Sequence, residues 1–87
     1  MPALHYLGGS PVVFRGTGFK PHERVVVTAF GGERVVRRAV ASANGVFKLS
    51  FPGVDPGTCA GFFGATAVGD RGSRATFRRP PRLCPSP

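Results

Sequence analysis

The sequence predicts an all-β chain, a sandwich of about seven short antiparallel strands. Three observations carry that prediction. Short segments alternate apolar and polar residues with the period of a half-buried strand. Glycine and proline separate those segments at regular spacing, as in sandwiches. Thirteen Gly and nine Pro among 87 residues, with no apolar stripe of helical period, argue against helices. A chain of 87 residues holds one domain. At this length only about 60–65% of the unfolded surface is buried, so the core is thin. No internal repeat is visible. No run of about eighteen apolar residues predicts a membrane span.

The elements follow in order. Residues 1–9 form an N-terminal segment with a first strand at about Leu4–Leu7. The sandwich proper runs over 10–79, and 80–87 is a proline-rich tail. Val12 and Phe14 alternate with Val13 and Arg15 in the next strand, Pro11–Gly16. Gly16 to Glu23 is a corner in which Phe19 is a large apolar anchor, and Pro21 stops strand pairing there. Arg24–Phe30 sets Val25, Val27 and Ala29 on one face and Val26, Thr28 and Phe30 on the other. Gly31-Gly32 turns the chain into a strand over Arg34–Ser42. There Arg38 shares a face with Val36 and Val40, so a bulge or an edge position is required. Asn44-Gly45 predicts a type I′ hairpin onto Val46–Phe51. Phe47, Leu49 and Phe51 then point inward, each worth about 2 kcal/mol of burial. Pro52–Thr58 is a loop crossing between sheets. Cys59–Val68 is a strand with Phe63, Ala65 and Ala67 inward and Phe62, Thr66 and Val68 outward. Gly69 to Gly72 turns into Ser73–Arg79, and Pro80-Pro81 ends the pairing.

Three stretches carry a family resemblance. Gly16-Thr17-Gly18-Phe19-Lys20-Pro21-His22-Glu23-Arg24-Val25-Val26-Val27 resembles a G-x-G-F-x-P-x-E-x-V-x-V signature. Ala43-Asn44-Gly45-Val46-Phe47 is similar to an A-N/D-G-x-F turn. Gly69-Asp70-Arg71-Gly72-Ser73-Arg74-Ala75-Thr76 is similar to a G-x-x-G-S-x-A-T closing hairpin. The pattern, from about Pro11 to Phe77, resembles immunoglobulin-like modules of secreted and surface proteins of bacteria, actinobacteria above all. The resemblance implies an immunoglobulin-like β-sandwich outside the cell or at its surface, acting as a spacer, adhesion or binding unit. Such modules share no catalytic residues to carry over. Met1-Pro2-Ala3-Leu4 does not open a signal peptide, so either a leader has been cut away, which is the expectation here, or the protein is cytosolic.

Ten Arg and two Lys against four acids give a net charge of +8, which speaks to partners and not to fold. Catalysis has little to work with. Nucleophilic catalysis needs a base beside Ser, Cys or Thr. His22 and Glu23 are sequence neighbours that strand geometry points apart, and turn chemistry accounts for Asp55 and Asp70. No cofactor is expected, and no enzyme. Binding is the better reading. The strands Arg24–Phe30, Cys59–Val68 and Ser73–Arg79 are expected in one sheet, whose outer face shows Val26, Phe30, Phe62, Arg74 and Arg78. Apolar groups beside arginine suit a protein, a glycan or an anionic wall polymer. Alternation is expected to scatter Arg34, Arg37 and Arg38 of one strand, and Arg74, Arg78, Arg79 and Arg82 of another, over both outer faces. The alternative is a small basic β-sheet nucleic-acid binder, although the RNA-binding aromatic signature is absent. The chain is expected to be monomeric or one module of a longer protein.

Cys59 and Cys84 lack the spacing of a metal site, and His5 and His22 are too scattered to complete one. If Val68 pairs with Ser73, Cys59 falls opposite Arg82, two residues short of Cys84. A slip or bulge at Pro80-Pro81 then brings the sulfurs together. The bridge closes a loop of about 25 residues and destabilises the unfolded chain by roughly 3–4 kcal/mol, which a thin core needs. Intact mass before and after reduction should differ by two hydrogens in protein from an oxidising compartment. Two free thiols there would rule the bridge out.

Overall fold

The structure is a computed structural model and describes residues 1–9, 11–54 and 63–79. Seven antiparallel strands form two sheets, with no helix among the described residues. The strands are β1 (Ala3–Gly8), β2 (Val12–Thr17), β3 (Arg24–Gly31), β4 (Glu33–Val40), β5 (Phe47–Phe51), β6 (Phe63–Gly69) and β7 (Arg74–Arg79). One sheet has the order β1-β2-β5 and the other β4-β3-β6-β7.

Alternation decides which side chains meet between the sheets. Val12 and Phe14 of β2, Phe47 and Phe51 of β5, Val25, Val27 and Ala29 of β3, and Phe63, Ala65 and Ala67 of β6 are all buried. Alanine along β6 and β7 leaves room for phenylalanine from the opposite sheet. The Phe14 ring lies 5.9 Å from Phe51 and 5.7 Å from Phe63, centre to centre. Each such ring contributes about 2–3 kcal/mol of burial. Tyr6 of β1 meets Phe63 edge-on at 5.0 Å. The Arg79 guanidinium lies over Phe63 at 4.8 Å and over Tyr6 at 5.6 Å. This cation–π contact joins β1 to β7 at one margin of the core.

The charge in β4 is accommodated by an edge, not by a bulge. Pairing with β3 runs without a break from Arg24↔Val40 to Gly31↔Glu33, and β4 has no second neighbour in its sheet. Arg38 therefore faces solvent. Arg37, on the opposite face, donates from Nη1 to the Ser50 carbonyl at 2.7 Å and ties the β4 edge to β5.

Two expected pairings are corrected. Asn44-Gly45 does not close a hairpin within one sheet. Gly45 N–H donates to the Ser42 carbonyl at 2.9 Å, and Ser42 N–H to Val46 at 2.9 Å. Only Gly45 takes a positive φ, 74°, whereas a type I′ turn needs two such residues. Beyond the Ser42–Val46 bond β5 leaves β4 and pairs with β2. The β6–β7 register is also one residue from the expected one, with Val68 opposite Arg74. Gly72, at φ 94°, is the extra residue in that turn. The predicted Cys59–Cys84 bridge lies outside the described residues.

The corner between β2 and β3 packs as its sequence implies. Phe19 is buried and meets Phe47 edge-on at 5.0 Å. Its N–H donates to the Gly45 carbonyl at 3.1 Å. Gly18 holds φ 74°, and a Cβ there would strike the Met1 carbonyl. Phe19→Ala should lower unfolding free energy by roughly 3–5 kcal/mol in a denaturant titration. A loss under about 1 kcal/mol would mean that the corner is not part of the core.

Candidate contact face on the four-stranded sheet

One end of the molecule is held by a buried carboxylate. Lys20-Pro21-His22-Glu23 is a tight turn closed by Glu23 N–H donating to the Lys20 carbonyl at 3.1 Å. Proline leads the turn, and His22 takes φ 58°, a left-handed conformation usually left to glycine or asparagine. That geometry starts β3 with Glu23 in phase with Val25, Val27 and Ala29, so the carboxylate points inward. Glu23 is fully enclosed. Its Oε1 accepts from Lys20 N–H at 3.0 Å. Its Oε2 accepts from Arg71 N–H at 2.8 Å and Ser73 N–H at 3.3 Å. Burial pushes this carboxyl up, but the Ser73 hydroxyl and the three backbone N–H groups more than reverse that and hold it at about 2, against an ordinary 4.5.

The same turn carries further ties. Arg24 N–H donates to Asp70 Oδ1 at 3.2 Å, and Asp70 N–H returns to the Arg24 carbonyl at 2.9 Å. Lys20 Nζ donates to the Arg71 carbonyl at 2.6 Å. Gly69 has no Cβ because one would occupy the Glu23 carboxylate. These contacts fix the start of β3 against the β6–β7 turn, and so fix which side chains stand level across the sheet.

The outer face then reads in rows. Arg38, Val26, Val68 and Arg74 stand level on β4, β3, β6 and β7. The next row is Val36, Thr28, Thr66 and Thr76, and the third is Arg34, Phe30, Gly64 and Arg78. Arg24 stands beside Val40 beyond the first row. With strands about 4.8 Å apart and about 3.4 Å per residue, the four outermost arginines mark a square roughly 14 Å on a side. Of the large exposed apolar side chains among the described residues, Val26, Val36, Val40 and Val68 lie on this face; the others are Met1 and Leu7. Two adjoining hollows of about 290 and 350 Å³ share Arg24, Val26 and Arg38 as lining and open widely to solvent.

Four of the predicted surface residues are brought together here. Val26, Arg74 and Arg78 are exposed and Phe30 is half-buried on one face. Phe62 lies outside the described residues. The expected scatter of the arginines is corrected. Because β4 and β7 are the two edges of one sheet, Arg34, Arg38, Arg74 and Arg78 all stand on its outer face, with Arg24 just beyond the first row. The opposite sheet presents a smaller basic row, His5, Arg15 and Lys48. Glu23 was legible only as a strand-end residue, although period two from Val25 already turned it inward. Among the described residues no three His, Cys, Asp or Glu side chains gather as metal ligands, and no helix is long and apolar enough to cross a membrane.

The Glu23 carboxyl predicts a specific acid response. Its folded value, about 2, lies below the unfolded 4.5, so its stabilisation is complete above the unfolded value and is lost as pH falls through the folded one. Glu23→Gln should be clearly less stable than the native chain at neutral pH, and the gap should close between 4.5 and about 2. Thermal melts of both proteins across that range check it. A gap that stays constant would mean that the carboxylate charge is not what matters.

Comparison with protein-family models, with curated proteins and with solved structures finds no match to this chain.

Proposed function

We propose that the chain is an immunoglobulin-like sandwich module of an exported bacterial protein, and that it binds a partner without catalysing a reaction. The strand order β1-β2-β5 against β4-β3-β6-β7 supports the sandwich reading, since such domains pair two sheets in Greek-key order. The observation that carries the binding reading is the outer face of the larger sheet. Aliphatic and threonine side chains occupy its middle, and arginines stand along both edges. Four acids cannot neutralise twelve cations, and Glu23 is already enclosed. An acidic partner is the complement of such a face.

Gathering the arginines on one face also sets the salt response. Five guanidinium groups on one face make the association sensitive to ionic strength, since exposed charges are screened within about 8–10 Å at physiological salt. A nucleic acid shares that charge complementarity. It is the weaker fit, because Phe30 is the one aromatic on this face among the described residues and is half-buried. Base-stacking surfaces need more than one.

The test is retention on an immobilised sulfated polymer. Arg38→Glu/Arg74→Glu should elute at markedly lower salt than the native chain. The charge-matched control Arg15→Glu/Lys48→Glu alters the opposite sheet and should shift much less. Equal shifts would remove this face from the account and leave only net charge.

A further inference from the structure

We infer that the outer face of β4-β3-β6-β7 takes a linear anionic polysaccharide, laid across the strands along the threonine row. The inference rests on the proposed reading of this face as the contact surface and names the chemistry of its partner. The four outermost arginines stand at the corners of a square about 14 Å on a side, too far apart for one small anion to meet all four. The ligand must be extended and carry several charges. A second copy of the chain is a poor occupant, since five arginines would meet five. The middle of the face decides among the remaining polymers.

Thr28, Thr66 and Thr76 stand level on β3, β6 and β7. They lie midway between the two arginine rows, at spacings of about 4.8 Å. Each hydroxyl both donates and accepts. A partner that covers this line must supply both functions repeatedly, or leave hydroxyls dehydrated and unpaired. A polyhydroxylated chain does so along its length. The C–H faces of its rings would rest on Val26 and Val68 on one side and on Phe30 on the other. At Gly64 the β7 backbone comes so close that a Cβ would strike the Phe77 carbonyl, so the third row carries no side chain beside Phe30. A nucleic acid would leave its bases without a stacking surface. An acidic peptide offers charge but no repeating hydroxyls.

The experiment is anisotropy titration of labelled oligogalacturonate at about 0.15 M salt, where exposed charges are screened beyond about 8 Å. Oligothymidylate and oligoglutamate of matched charge are run beside it. Thr66→Val keeps side-chain shape and strand preference while removing one hydroxyl, and its melt confirms folding. The native chain should bind the galacturonate several-fold more tightly than either other polymer. Thr66→Val should weaken that binding about threefold to tenfold, the range for one net hydrogen bond, and leave the others unchanged. Arg38→Glu/Arg74→Glu should weaken all three. Equal affinity for the three polymers, or no effect of Thr66→Val, would overturn the polysaccharide assignment while the contact face stood. Tighter binding to oligothymidylate or oligoglutamate would do the same. Binding that ignores the arginine pair, or no binding to any probe, would overturn the contact face as well.

Discussion

A carboxylate with no contact with water needs its lone pairs filled, and Glu23 has them filled by two loops far apart in sequence. The N–H groups of Lys20, Arg71 and Ser73 all converge on it. Losing any one would leave a buried charge short of donors, which is among the more damaging local defects a small domain can carry. The constraint reaches outward. His22 accepts a left-handed backbone so that β3 can begin with Glu23 inward, and Gly69 forgoes a side chain so that the carboxylate has room. With both loops held, β3 and β6 have one alignment, and a one-residue slip would turn every side chain to the wrong face.

That alignment places the arginines. An exposed sheet edge invites pairing with other chains, and long charged side chains deter it. β4 carries Arg34 and Arg38 outward, and β7 carries Arg74 and Arg78. The two strands are the edges of one sheet, so the residues that protect it also charge its outer rim. Arg37 and Arg79 point the other way and serve the fold, one bonded to the Ser50 carbonyl and one over two rings. Position along the strand, not residue type, separates the two uses.

Much of this was legible in the sequence. Period-two patterning located all seven strands and oriented Val25, Val27, Phe47, Phe51, Phe63 and Ala65. The corner glycine and Phe19 were legible for the same reason, since local geometry and burial dominate there. Partner choice between strands was not. Asn44-Gly45 has the composition of a tight hairpin, but the turn it forms depends on the contact between Gly45 and the Phe19 backbone, a tertiary effect. The distribution of arginine over the faces follows from β4 and β7 lying at opposite edges of one sheet, which strand patterning alone does not specify. Glu23 was missed because a glutamate before a strand usually ends in solvent. Only the donors from the distant β6–β7 turn make its burial favourable.

Amide hydrogen exchange tests the carboxylate clamp most directly. If Glu23 holds the two loops together, the N–H groups of Lys20, Arg71 and Ser73 should exchange nearly as slowly as those of Val25 and Val27 in the core of β3. In Glu23→Gln they should exchange far faster while the β3 core stays slow. Fast exchange at Arg71 and Ser73 in the native chain, at the rate of an exposed turn, would contradict the account.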